Sequence, residues 1–126
     1  MRAAEYAEEA FKVVPDFDRL AKATHGVTLA RVRASQGREA EAESLFQTSL
    51  RFLAPSEYAV DLALSLLKYG DALLVLKRPD RAWALFKRAQ ELFANMGSTL
   101  FVREIDARLD ARVHSSGASC AQERVP

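Results

Sequence analysis

A single cysteine, Cys120, stands among 126 residues, so no intrachain disulfide can brace the fold. That scarcity suits a reducing compartment. Met1 to Ala10 is acidic where a secretory leader is basic and then apolar, and no run approaches the roughly 18 apolar residues of a membrane span. The expectation is a cytoplasmic chain without membrane contact. Histidine is nearly as scarce: His25 falls on the second predicted helix and His114 just past the sixth, far apart in the repeat register, which argues against a shared metal or a base-and-nucleophile pair. No GxSxG, glycine-rich phosphate loop, HExxH or CxxC is found. The reading is therefore a non-enzyme with no cofactor and no metal.

Charge of one sign is also missing. Eighteen Lys and Arg face 17 Asp and Glu, and the net charge of +1 provides no field for nucleic acid or an anionic surface. Arg31, Arg33 and Arg38 make only a small basic group without interleaved aromatics. Glu39, Glu41 and Glu43 stand two apart and so point to different sides of a helix, as in a solvated first turn. Trp83, the only tryptophan, reads as packing, and Cys120 as an ordinary exposed thiol.

Strand signals are absent too: there is no alternating run and no Asn-Gly or Asp-Gly hairpin. What is present is a 49% hydrophobic, 28% charged sequence in which apolar residues recur three and four apart. Breaks carrying Pro or Gly at 14–16, 36–38, 54–56, 77–79 and 96–98 divide it into six predicted helices. These are Arg2 to Val13, Phe17 to Ser35, Glu39 to Leu53, Glu57 to Leu76, Asp80 to Asn95 and Thr99 to Val113. Asp16 and Ser56 are expected N-caps, Pro79 suits a first turn, and Gly97 suits a left-handed C-terminal position. Residues 114–126, with few large apolar groups, are expected to form a flexible tail.

A repeat runs through the helical part. Leu29-Ala30, Gly37, Ala42, Phe46, Ser49 and Ala54 recur forty residues later as Tyr69-Gly70, Lys77, Ala82, Phe86, Ala89 and Ala94. A half-copy precedes them, with Ala3, Ala7, Ala10 and Pro15 standing thirty-nine residues before Ala42, Phe46, Ser49 and Ala54. Small residues at Ala30, Gly70, Ala42, Ala82 and Ala89 let helices approach closely, while Phe46 and Phe86 fill the space between pairs. A large residue at Ala82 or Ala89 is expected to overpack that contact at about 1 to 3 kcal/mol.

This pattern resembles the tetratricopeptide repeat in its large-then-small pair, turn glycine and small, aromatic, small series. It departs at Arg33, which replaces an aromatic or leucine, at Lys77, which replaces the turn glycine, and in the closing proline, kept only as Pro15. The spacing, and the run Ala89 to Gly97, are similar to the longer-helix variants in helical regions of bacterial signalling ATPases and transcription regulators. The resemblance implies an all-α fold over residues 1–113, with antiparallel helix pairs stacked into a short right-handed superhelix, an α-solenoid: a half repeat, two full repeats and a capping helix.

The helix from Glu57 to Leu76 is apolar nearly all round, with Asp61, Ser65, Lys68 and Asp71 on one narrow stripe, and is expected at the centre. The last helix gathers Phe101, Val102, Ile105, Leu109 and Val113 on one side and leaves Arg103, Glu104, Asp106, Arg108 and Asp110 for water, as a cap does. The first helix lacks its mate. Either the chain is a portion of a longer signalling or regulatory protein, or the face carrying Tyr6 and Phe11 pairs with another copy, giving a structural, self-associating homo-oligomer. The resemblance further implies a protein–protein interaction module or scaffold holding a protein or peptide segment in a concave groove. It places Thr24, Val27, Arg31, Leu64, Leu67, Asp71 and Leu74 on that surface.

Overall fold

The computed structural model describes residues 3–15, 17–54 and 57–110. Asp16, Ser56, Val113, His114, Cys120 and the expected tail over 114–126 lie outside the described residues. Among those described there are six helices and no strand: α1 (Ala3–Val13), α2 (Arg19–Ser35), α3 (Glu39–Arg51), α4 (Ala59–Val75), α5 (Pro79–Asn95) and α6 (99–110).

Their ends follow from local chemistry. Asp18, not Asp16, caps α2 in the described chain: its carboxylate accepts from the Ala21 amide at 3.2 Å. The helix therefore starts two residues later than expected, and Phe17 is left in the turn at 86% exposure. Pro79 occupies the first turn of α5, where its missing amide hydrogen costs no intrahelical bond. Helix α3 stops at Arg51 instead of Leu53 and α4 starts at Ala59 instead of Glu57, which lengthens the connection between them.

Three helices end in the same way. The Gly37, Lys77 and Gly97 amides donate to Ala34, Leu74 and Ala94, each at 3.0 Å. The next amides, of Arg38, Arg78 and Ser98, reach back to Arg33, Leu73 and Phe93 at 2.9, 2.8 and 2.9 Å. This pair of bonds satisfies the last helical carbonyls and needs a left-handed residue between them, with φ of 75°, 62° and 74°. Short turns of this type return the chain antiparallel to itself.

Helix α2 packs against α1, α3 and α4, and α4 packs chiefly against α5. The closest approaches fall on glycine. A Cβ on Gly26 would lie 2.0 Å from Ser49 Oγ of α3 and 3.3 Å from the Phe11 ring of α1, so one residue admits both neighbours. Ala30, Ala42, Ala82 and Ala89 are wholly buried between helices, with Phe46, Phe86, Phe93, Leu66, Leu73 and Ile105 filling the interior. Phe46 stacks on Tyr69 of α4 with centroids 4.4 Å apart, and Phe93 stacks on Phe101 of α6 at 4.5 Å.

Helix α4 is central, but Ser65 does not belong to a solvated stripe: it is buried beside Leu62 and Leu66. Arg33 is also buried, where a hydrophobic side chain was the family expectation. Its guanidinium bonds the Glu8 carboxylate of α1, lies 3.3 Å from Glu41 of α3 and donates to Gln36 at 3.2 Å. A cation thus joins three helices. Arg108 of α6, expected in water, is half-buried over the Phe86 ring and pairs with Asp71 of α4 at 3.4 Å.

Candidate functional site

The exposed stripe of α2 is Leu20, Thr24, Thr28, Arg31 and Ser35, the spacing of one face of a 3.6-residue helix. Forty residues on, the outward stripe of α4 is Val60, Leu64, Lys68, Asp71 and Val75. The series continues on α6 as Leu100, Glu104 and Arg108. Since α2 packs on α4, and α4 meets α6 through Asp71 and Arg108, the three stripes form one face.

Leu20, Val60 and Leu100 are equivalent positions, and each is an exposed aliphatic, at 38%, 49% and 73%. Single exposed aliphatics are ordinary, but one at the equivalent position of each of the alternate helices α2, α4 and α6 makes a row across the face. About three turns further along α2 and α4 the face becomes polar. Arg31 and Asp71 both line an open cleft of about 370 Å³ between α2 and α4, together with Val32, Ala72 and Val75. Asp71 accepts from Arg108 Nε and Nη2 at 3.4 Å each, a partly exposed pair contributing no more than about 1 kcal/mol.

Two of the expected groove residues are core. Val27 is 2% and Leu67 6% exposed, both inside the central hydrophobic cluster. The outward positions are the next residues, Thr28 and Lys68, about 100° further round each helix. Leu64 is half-buried and packs on the core, Leu74 is 37% exposed, and Thr24, at the edge of the exposed stripe of α2, lines a hollow towards α1 and not the cleft with α4. Arg31 and Asp71 are therefore the two expected residues that share a cleft. The row of Leu20, Val60 and Leu100 was missed, although the forty-residue interval applied to surface positions as well as core positions would have exposed it.

A second and larger hollow, about 580 Å³, lies between α1 and α2. Tyr6, Ala7 and Ala10 form one wall; Thr24, His25, Thr28 and Val32 form the other.

On the opposite side, α3 and α5 are joined by charge. Arg78 holds Glu39 through bonds of 2.8 and 3.1 Å, which pushes the Glu39 carboxyl below its ordinary pKa and the Arg78 guanidinium above its own. Glu43 accepts from Arg81 and, at 3.0 Å, from the Tyr69 hydroxyl. Burial raises the pKa of that phenol, because the phenolate would be poorly solvated.

Among the described residues no three His, Cys, Asp or Glu side chains are grouped to hold a metal ion, and no helix is long and apolar enough to cross a membrane. Comparison with protein-family models, with curated proteins and with solved structures finds no match.

Proposed function

We propose that the chain is a protein-binding module of tetratricopeptide-like, solenoidal architecture that holds a segment of a partner protein across the face of α2, α4 and α6. The observation that carries this reading is the row of Leu20, Val60 and Leu100, three aliphatic side chains kept in contact with water at the same place on three helices. About three helical turns along α2 and α4 from that row, roughly 16 Å away, the cleft of Arg31 and Asp71 supplies polar groups that would orient a segment's backbone or side chains. Apolar anchors with a few polar contacts bind peptides without any reaction, so the module acts by binding and not by catalysis.

Packed helices are about 8–10 Å apart, and a polyproline II chain rises about 3.1 Å per residue with three residues per turn. A segment crossing the three helices in that form would therefore meet the row with an aliphatic side chain at every third residue. Selection from a displayed peptide library on the purified protein tests this. Enriched peptides with aliphatics at that interval, losing binding to a Leu20→Asp, Val60→Asp, Leu100→Asp variant with an unchanged circular dichroism melt, support the face. Enriched peptides that bind the variant equally well refute it.

A further inference from the structure

We infer that the hollow between α1 and α2 is a docking slot for a basic amphipathic helix of another protein. The chain supplies its own template for that occupant. On α4, the stripe Ser65, Tyr69 and Ala72 is turned towards the preceding helix pair: Tyr69 stacks on Phe46 of α3, and Ala72 lies in the α2 contact. All three are buried, at 8%, 5% and 6%. The equivalent stripe of α2, forty residues earlier, is His25, Leu29 and Val32. Leu29 is buried, but His25 and Val32 are only half-buried and line the hollow.

The other wall says the same. Leu45 and Phe52 of α3, and Leu85 and Leu92 of α5, pack partly buried against the core. Their counterparts on α1, thirty-nine residues before Leu45 and Phe52, are Tyr6 and Val13, which are 69% and 74% exposed. The space against α1 and α2 therefore corresponds to the space against α3 and α4 that α2 fills. What fits it is a helix of about the dimensions of α2, with small and aliphatic residues on its inner stripe.

Charge identifies the partner further. Glu9 lies between Tyr6 and Val13 on the exposed stripe of α1, beside Glu5. Helix α2, which occupies the equivalent place beside acidic α3, carries Arg19, Lys22, Arg31 and Arg33 and no acidic residue. Of these, Arg33 reaches Glu41. A basic helix is thus the matching occupant here too. Two copies of this chain match less well. Symmetric pairing of α1 with α1 would bring the acidic stripes together. Helix α6 of a second copy offers exposed Arg103, Asp106 and Asp110 where α2 has the buried Ala23, Gly26 and Ala30. That face closes the far end of the stack and does not present an apolar helix to a neighbour.

The probe is a fluorescent synthetic peptide with the α2 sequence, Arg19–Ser35, titrated into the whole protein and followed by anisotropy, with light scattering of the protein alone alongside. Expected is saturable binding that weakens about tenfold or more for a Tyr6→Glu, Val13→Asp variant and for a peptide with its Arg and Lys replaced by Glu. Both substituted side chains are exposed, so the variant should keep its helical melt. The Leu20→Asp, Val60→Asp, Leu100→Asp variant should bind the peptide unchanged, which separates this slot from the peptide face proposed above. Absence of binding to the unaltered protein, or equal binding to the Tyr6 and Val13 variant, overturns the inference. A dimer of the protein alone that the Tyr6 and Val13 substitutions dissolve also overturns it, by assigning the slot to a second copy.

Discussion

Gly70 and Phe86 meet with no room for a methyl group between them: a Cβ on residue 70 would stand 2.5 Å from the Phe86 ring. The ring is wholly buried, beside Trp83 at a centroid distance of 5.4 Å, and has nowhere to move. Gly70→Ala gains roughly 1 kcal/mol of helix propensity but overpacks the α4–α5 contact by about 1 to 3 kcal/mol. The net expectation is a loss of stability, read as a lower urea midpoint at unchanged slope. Gly70→Ala with Phe86→Leu should recover part of that loss. A single variant more stable than the parent would mean that the ring has space the packing does not show.

That Gly70 and Phe86 are core positions was legible in the sequence, because a small residue and an aromatic recur at a fixed interval, but that the two meet each other across α4 and α5 was not. The same logic located Ala30, Ala42, Phe46, Ala82 and Ala89, all buried. It did not find Gly26, whose role depends on α1 and α3 converging on one point of α2. Nor did it orient the outer faces. The family resemblance puts Val27 and Leu67 in the groove, yet both are buried and their neighbours Thr28 and Lys68 are the exposed ones. Apolarity marks the core more reliably than it marks a binding face, and one residue along a helix is enough to exchange the two. Arg33 was legible only as a departure from the family pattern, since its partners come from two other helices.

Lys77 provides a test of the turn geometry. It holds φ at 62°, in the region that glycine takes at Gly37 and Gly97. A side chain there costs about 1–2 kcal/mol, while glycine gives back about 0.5–1 kcal/mol through its freer unfolded chain. Lys77→Gly should therefore raise stability by up to about 1 kcal/mol, seen as a melting temperature a few degrees higher. Lys77→Ala keeps the Cβ and should leave it nearly unchanged. If alanine stabilises as much as glycine, the lysine's charge and not its backbone is responsible.

Arg33 separates charge from packing. Its guanidinium is buried, but Glu8 and Glu41 are 41% and 51% exposed, so removing the cation leaves two carboxylates that water can still solvate. Arg33→Ala is expected to cost about 2–3 kcal/mol, mostly from the emptied space. Arg33→Met refills much of that volume without a charge to desolvate and should come within about 1 kcal/mol of the parent. The comparison is made by urea unfolding at neutral pH and again in high salt. Equal losses for alanine and methionine would show that the ion pairs, and not the volume, join α1, α2 and α3.

Tyr69 couples the fold to alkaline pH. Burial raises its pKa above the ordinary value of 10.0, so the folded chain keeps a proton that the unfolded chain releases first. A group raised in the folded state contributes its full stability below the unfolded pKa, and that contribution is lost as pH rises through the folded one. The parent should therefore lose stability above about pH 10. Tyr69→Phe removes this titration together with the bond to Glu43, which costs about 1 kcal/mol at pH 7. Tyr6 and Tyr58 are retained in both proteins, so the difference isolates residue 69. Urea midpoints from pH 7 to pH 11 should start with the variant below the parent and converge above pH 10. Parallel curves through that range would show that the Tyr69 phenolate is solvated in the folded chain, and that the seam where Phe46 stacks on it opens more readily than its packing implies.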